Sequence, residues 1–152
     1  MSALERLAEL GLSLPTVPAP VANYLVGKRV GDLLYLSGQG PRDSSGGYHQ
    51  GKVGSQVSVA DAYQHARLAG LSLLAAAQSL HPQLDQLEAV KILGMVNAEA
   101  QFGQHPQVIN GCSDLFVEVL GERGRHARSA VGMGSLPNNM TVEIEAIFRI
   151  HD

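Results

Sequence analysis

The chain has no tryptophan and a single cysteine, Cys112, in 152 residues. One cysteine excludes an intrachain disulfide and any multi-cysteine metal site, and it fits a reducing compartment. Charged residues are also scarce, at 16% of the chain, below the usual figure of about 25%. That deficit hints that part of the surface is covered by another copy. No basic patch is present. Lys28 with Arg29, and Arg123, Arg125 and Arg128, are the only Lys/Arg clusters, and the net charge is -3. A dedicated nucleic-acid partner is therefore disfavoured. The apolar runs are too short to span a membrane. The N-terminus lacks a basic segment followed by an apolar one, so it does not read as a signal peptide, and a cytoplasmic location is the expectation. Six histidines are dispersed without a metal-ligand spacing such as HxxxH.

What is there reads as one α+β domain with an appendage. Ser2 to Glu5 forms a capping box, with Leu4, Leu7 and Leu10 three apart, which predicts a helix over about 2–10. Residues 15–20, PTVPAP, form an extended linker because each proline fixes φ. Residues 1–18 are thus taken as an N-terminal helix and linker, and 19–152 as the main domain. Segments 24–30 and 33–37 are β-rich, with Gly31-Asp32 between them as a hairpin turn. A polar, glycine-rich loop follows over 40–54, with a short strand near Tyr48. Ser58 caps a long helix running to about Leu80, with Ala62, Ala66, Ala69 and Leu73 on one face. Leu87 to Val96 reads as a strand. A second helix runs from about Pro106 to Leu120, with proline in its first turn. Strands over about 126–133 and 141–150 close the chain, joined by the turn Leu136-Pro137-Asn138-Asn139. In the last strand Val142, Ile144, Ala146 and Phe148 alternate with Glu143 and Glu145. A sheet with two helices on one face satisfies this order. Its other face needs a cover, which a stacked homo-oligomer would supply.

Few residues offer chemistry. Arg128 presents a rigid fork of donors matched to a planar carboxylate. If the last two strands pair, Glu143 could orient that arginine or hold a water for proton transfer. A cross-strand salt bridge is the plainer account from pattern alone. Cys112 falls early in the second helix, where a helix N-terminus could lower its pKa, although a buried small apolar role is simpler. Ser37-Gly38-Gln39-Gly40 ends a strand and is neither GxSxG nor a P-loop. Gly38 would permit close approach of a ligand to the backbone. Tyr24 could belong to the core or present its hydroxyl to a site.

Three ordered motifs carry a resemblance. Leu34-Tyr35-Leu36-Ser37-Gly38-Gln39-Gly40-Pro41, then Leu84 to Lys91, then Ala127-Arg128-Ser129-Ala130-Val131 with Leu136-Pro137 and Val142-Glu143-Ile144-Glu145-Ala146-Ile147 together resemble the Rid family. That family is also called the YjgF or L-PSP endoribonuclease family, and it includes enamine/imine deaminases. The resemblance spans about 20–150. It implies a chorismate-mutase-like fold, a mixed sheet backed by two helices, assembled as a homotrimer with sites in clefts between subunits. It implies that Arg128 grips a substrate carboxylate and that Glu143 serves the attacking water. It adds Tyr24, Gly38 and Asn110 as substrate-binding positions. The implied reaction hydrolyses reactive 2-imino or enamino acids to a 2-oxo acid and ammonia, with no metal or organic cofactor. A non-catalytic protein that binds small carboxylic-acid metabolites, and an endoribonuclease or translation inhibitor, are the alternatives. The chain departs from the family pattern in its first 18 residues, in INGCSDLF after the helix asparagine position, and in Ala130, where cysteine is common. These departures point to a divergent branch.

Overall fold

The structure, a computed structural model, describes residues 1–20 and 22–152. Eight main elements follow one another: α1 (Ala3–Glu9), β1 (Gly27–Val30), β2 (Leu33–Gln39), α2 (Val59–Leu80), β3 (Leu87–Asn97), α3 (His105–Leu120), β4 (Ala127–Met133) and β5 (Val142–Ile150). Local sequence explains most of their ends. Ser2 accepts from the Glu5 N–H, while the Glu5 side chain answers to the Ser2 N–H, so the capping box starts α1. Ser58 caps α2 through the Asp61 N–H. Gly31, at φ +62, makes the tight turn between β1 and β2. Tyr24 lies in a bend before β1 rather than in the strand, which begins only at Gly27.

The five strands form one sheet in the order β1-β2-β5-β3-β4. Every neighbouring pair is antiparallel except β3 and β4, which run parallel through the α3 crossover. The last two strands do not pair, because β3 lies between them. The 134–141 link instead carries the chain past the end of β3, and β5 enters the centre of the sheet between β2 and β3. Asn138 and Asn139 both adopt positive φ in that link, a conformation asparagine tolerates better than most residues.

Alternation sorts the two faces of the sheet. Leu34, Leu36, Ile92, Val96, Val142, Ile144, Ala146 and Phe148 are buried under α2 and α3. The helices approach closely where a side chain is missing: a Cβ at Gly111 would stand 1.9 Å from the Tyr63 carbonyl oxygen. Phe116 of α3 meets Phe148 of β5 edge to face, with ring centroids 5.3 Å apart. Helix α1 docks on the same layer, with Ala3 and Leu7 buried and Arg6 Nη1 donating to the Val119 carbonyl. The other face is open. It shows Tyr35, Leu93, Ile147 and Val131 beside Lys91, Glu143 and Glu145. This is the mixture of apolar and charged side chains expected for a face that needs a cover.

Candidate functional site

The site residues expected from sequence fall into two groups, on opposite faces of the sheet. Arg128 stands opposite Ile92 in the β3–β4 register, so it points to the helix side. Its Nη1 donates to Ser113 Oγ at 3.0 Å and its Nη2 to the Pro106 carbonyl at 3.3 Å, both on α3. Asn110 lies between these anchors at helical spacing, so positions 106, 110 and 113 share one stripe of α3. Arg128 is half-buried there, on the edge strand of the sheet.

Glu143 stands opposite Met95 and points to the open face. Its carboxyl group packs on Gly38: a Cβ at position 38 would lie 3.0 Å from both Cδ and Oε1. Gly38 sits where β2 loses its regular pairing with β5, between Leu36 and Gln39, and that irregularity makes room for the carboxylate. Burial raises the Glu143 pKa above the ordinary carboxylate value, and the neighbouring charge of Glu145 adds to the rise. Beside it, a groove of about 610 Å³ crosses the open face, lined among others by Tyr24, Lys28, Tyr35, Lys91 and Glu145. Tyr24 therefore belongs with the open face, not with Arg128.

A single chain cannot bring Arg128 and Glu143 to the same small molecule. Strand β3 separates their strands, which places them roughly 10 Å apart across the sheet. Arg128 is level with Ala146 through Ile92, which adds about 10 Å along the strand for three residues. The salt bridge that pattern alone favoured does not exist.

Two residues near Arg128 had no motif to announce them. Ser113 Oγ lies 2.9 Å from His126 Nε2, and His126 Nδ1 lies 2.6 Å from the Gly124 carbonyl. Only the fold reveals this grouping, because thirteen positions and a helix end separate Ser113 from His126. Cys112 lies well inside α3, not at its start, and is fully buried. Burial pushes its thiol pKa up, so it is no thiolate nucleophile.

Residues 4–147 match the family described as "YjgF/chorismate_mutase-like, putative endoribonuclease". The chain belongs to this YjgF family. Its mixed sheet backed by helices is the YjgF/chorismate-mutase-like fold. Protein TCP17 of Trypanosoma cruzi is 36% identical over 148 residues, which cover 96% of this chain and 92% of that protein. A crystal structure described as a putative endoribonuclease from Shewanella oneidensis superposes with a TM-score of 0.94 at 30% identity, covering 99% of this chain and all of the other. RidA from the Antarctic bacterium Psychrobacter is similar at 26% identity with a TM-score of 0.63, covering 89% of this chain and 94% of the other. The Shewanella structure thus matches this YjgF chain over its full length, including α1, more closely than RidA does.

Proposed function

We propose that the protein is a hydrolytic deaminase of reactive 2-imino and enamino acids, working as a homotrimer with its sites in clefts between subunits. The observation that carries this reading is the separation of Arg128 from Glu143 on opposite faces of one sheet. Each is poised for half of the reaction. Arg128 is held by two hydrogen bonds to α3 and still has donors to offer a carboxylate. Glu143 is a partly desolvated carboxyl whose pKa burial raises, which makes it a stronger base toward water than an ordinary carboxylate. A second copy that covers the open face would bring its own edge strand or groove to complete the site.

The chemistry then divides simply. Arg128 fixes the substrate through its carboxylate, with Asn110 beside it on α3. Glu143 accepts a proton from water as the water adds to the imine carbon. That proton passes to the substrate nitrogen, giving a carbinolamine. Glu143 then takes the carbinolamine hydroxyl proton and delivers it to the same nitrogen, the C–N bond breaks as C=O forms, and ammonia leaves a 2-oxo acid. Tyr24 and the open backbone at Gly38 complete the pocket. The endoribonuclease description attached to relatives finds little support in this chain, whose net charge is -3 and which lacks a basic stripe.

The test is ammonia release from freshly generated 2-aminoacrylate-type imines. Arg128→Ala and Glu143→Gln should each abolish it. Mixed oligomers of the two variants should then recover roughly a quarter of wild-type activity, the fraction of shared sites that receive both intact residues in a ring. Wild-type protein that never exceeds the buffer rate on several imines would overturn the deaminase reading. Binding of 2-oxo acids without turnover would leave a metabolite-binding protein. Mixtures of the two variants that stay inactive would overturn the shared site.

A further inference from the structure

Ser113, His126 and Arg128 meet at the seam of α3 and β4. The direction of donation along them is determined by chemistry. The Gly124 carbonyl can only accept, so His126 Nδ1, 2.6 Å away, carries the hydrogen. In the neutral ring Nε2 is then the lone-pair nitrogen, and the Ser113 hydroxyl donates to it across 2.9 Å. Ser113 Oγ in turn accepts from Arg128 Nη1 at 3.0 Å. Ser113 has one hydrogen, and in this state it is committed to His126.

The surroundings of His126 are specific. From α3 it faces Ser113 and the edge of the Phe116 ring, with centroids 5.7 Å apart. From β4, which it precedes, it faces Arg128. Glu122 and Arg125 pair with each other in solvent. Lys91 of β3 points to the open face of the sheet. Burial lowers the His126 pKa; the Gly124 hydrogen bond opposes that, and the Arg128 charge reinforces it.

We propose that Ser113 is a second donor to the carboxylate held by Arg128, released for that task when His126 gains a proton. This rests on the reading of Arg128 as a carboxylate anchor. Once Nε2 is protonated it donates to Ser113 Oγ, which can accept from both Nε2 and Arg128. The hydroxyl hydrogen then turns outward, next to the guanidinium donors. A bound carboxylate also cancels the Arg128 charge that opposes the imidazolium. Acid binding and proton uptake by His126 therefore favour each other, and the coupling is reciprocal. The ligand class is a small 2-oxo or 2-imino acid. Its affinity should rise as pH falls through the His126 range, because the bound state holds the proton more tightly. His126 is a positioning residue here and Ser113 a binding one.

The experiment is calorimetry of 2-oxobutyrate binding to the full-length protein from pH 8 to pH 5.5, in buffers of different ionisation heat. Wild type should bind roughly fivefold tighter at the acid end, the low end of ordinary coupling, and should take up protons on binding. His126→Gln supplies a permanent amide donor to Ser113, so it should bind without pH dependence. Ser113→Ala should bind severalfold more weakly, also without pH dependence. Nitrogen NMR titration of wild-type His126 gives the same answer without a substitution: the pH at which Nε2 gains its proton should rise when 2-oxobutyrate is bound. Binding that is lost in Arg128→Ala yet independent of pH overturns the proton link alone, as does a pH dependence that survives in His126→Gln. A wild type that binds no 2-oxo acid overturns the Arg128 anchor, and this inference with it.

Discussion

Gly38 lies against the carboxyl group of Glu143, so closely that a methyl group at position 38 would stand 3.0 Å from its Cδ and Oε1. The contact is tighter than most side chains tolerate, and Glu143 must turn away to relieve it. Gly38→Ala should therefore cut imine hydrolysis by about tenfold to a hundredfold, the cost of displacing a catalytic group by about 1 Å. The fold should survive, because the Gly38 backbone is not in a glycine-only conformation. Ammonia release beside a thermal melt checks both halves. Unchanged activity would detach Glu143 from the chemistry.

Glu143 also carries a stability signature. Its folded-state pKa lies above the ordinary value of 4.5, through burial first and the Glu145 charge second. The folded protein thus binds this proton more tightly than the unfolded chain does. Stability from the group is present below pH 4.5 and is lost as pH rises through the folded pKa. Glu143→Gln removes that loss. The variant should melt a few degrees above wild type at pH 7.5, and the gap should close by pH 4.

The helix pair is sensitive at one point. A Cβ at Gly111 would sit 1.9 Å from the Tyr63 carbonyl oxygen and 2.9 Å from its carbon, both backbone atoms that cannot rotate away. Gly111→Ala must push α2 and α3 apart and loosen contacts along their length. A loss of about 1–3 kcal/mol, or more, is expected from overpacking of this kind, read as a shift in denaturant midpoint. Gly103→Ala is the control, since a Cβ there meets nothing within 4 Å.

His65 should shape the acid limb of stability. It stacks on His49 with centroids 4.3 Å apart and bonds through Nδ1 to the buried Thr141 hydroxyl. Burial, and then the His49 charge, bring its pKa from 6.5 down to about 4, against a small opposing effect of Asp61. The unfolded chain takes its proton first, so stability falls as pH drops from 6.5 toward 4. His65→Gln should flatten that fall. Denaturant midpoints at pH 7, 5.5 and 4.5 measure the slope; parallel curves for the two proteins would show that His65 contributes nothing to it.

The elements themselves were legible because their signals are local. Ser2 with Glu5, and Ser58, announce helix starts, and β5 alternates from Val142 to Ile150 as any half-buried strand must. Strand order was not legible. The alternation of β5 is the same whichever strand lies beside it, and the Leu136–Asn139 turn looks like a hairpin turn although it bridges β3. The facing of Arg128 was hidden for a related reason. Its strand lies at the sheet edge and offers Ala127, Ala130 and Gly132, small residues that mark neither face. Arg128 and Glu143 were therefore identifiable one at a time, by their motifs, while their separation across the sheet was not. Ser113 and His126 left no trace at all, since a lone hydroxyl in a helix and a lone histidine before a strand are common anywhere.

The strand synthesised last of the five occupies the middle of the sheet. Before Val142 emerges, the chain can form only two half-sheets, β1 with β2 and β3 with β4, and the facing edges of β2 and β3 both stand open. Each half carries part of the apolar layer that α2 and α3 cover. A chain that stalls or is cut before β5 would thus present a slot shaped for one particular strand, with its backbone donors and acceptors unanswered. The segment 142–150 of a neighbouring copy fits that slot as well as the chain's own does. Strand exchange between copies is accordingly the failure that this topology invites.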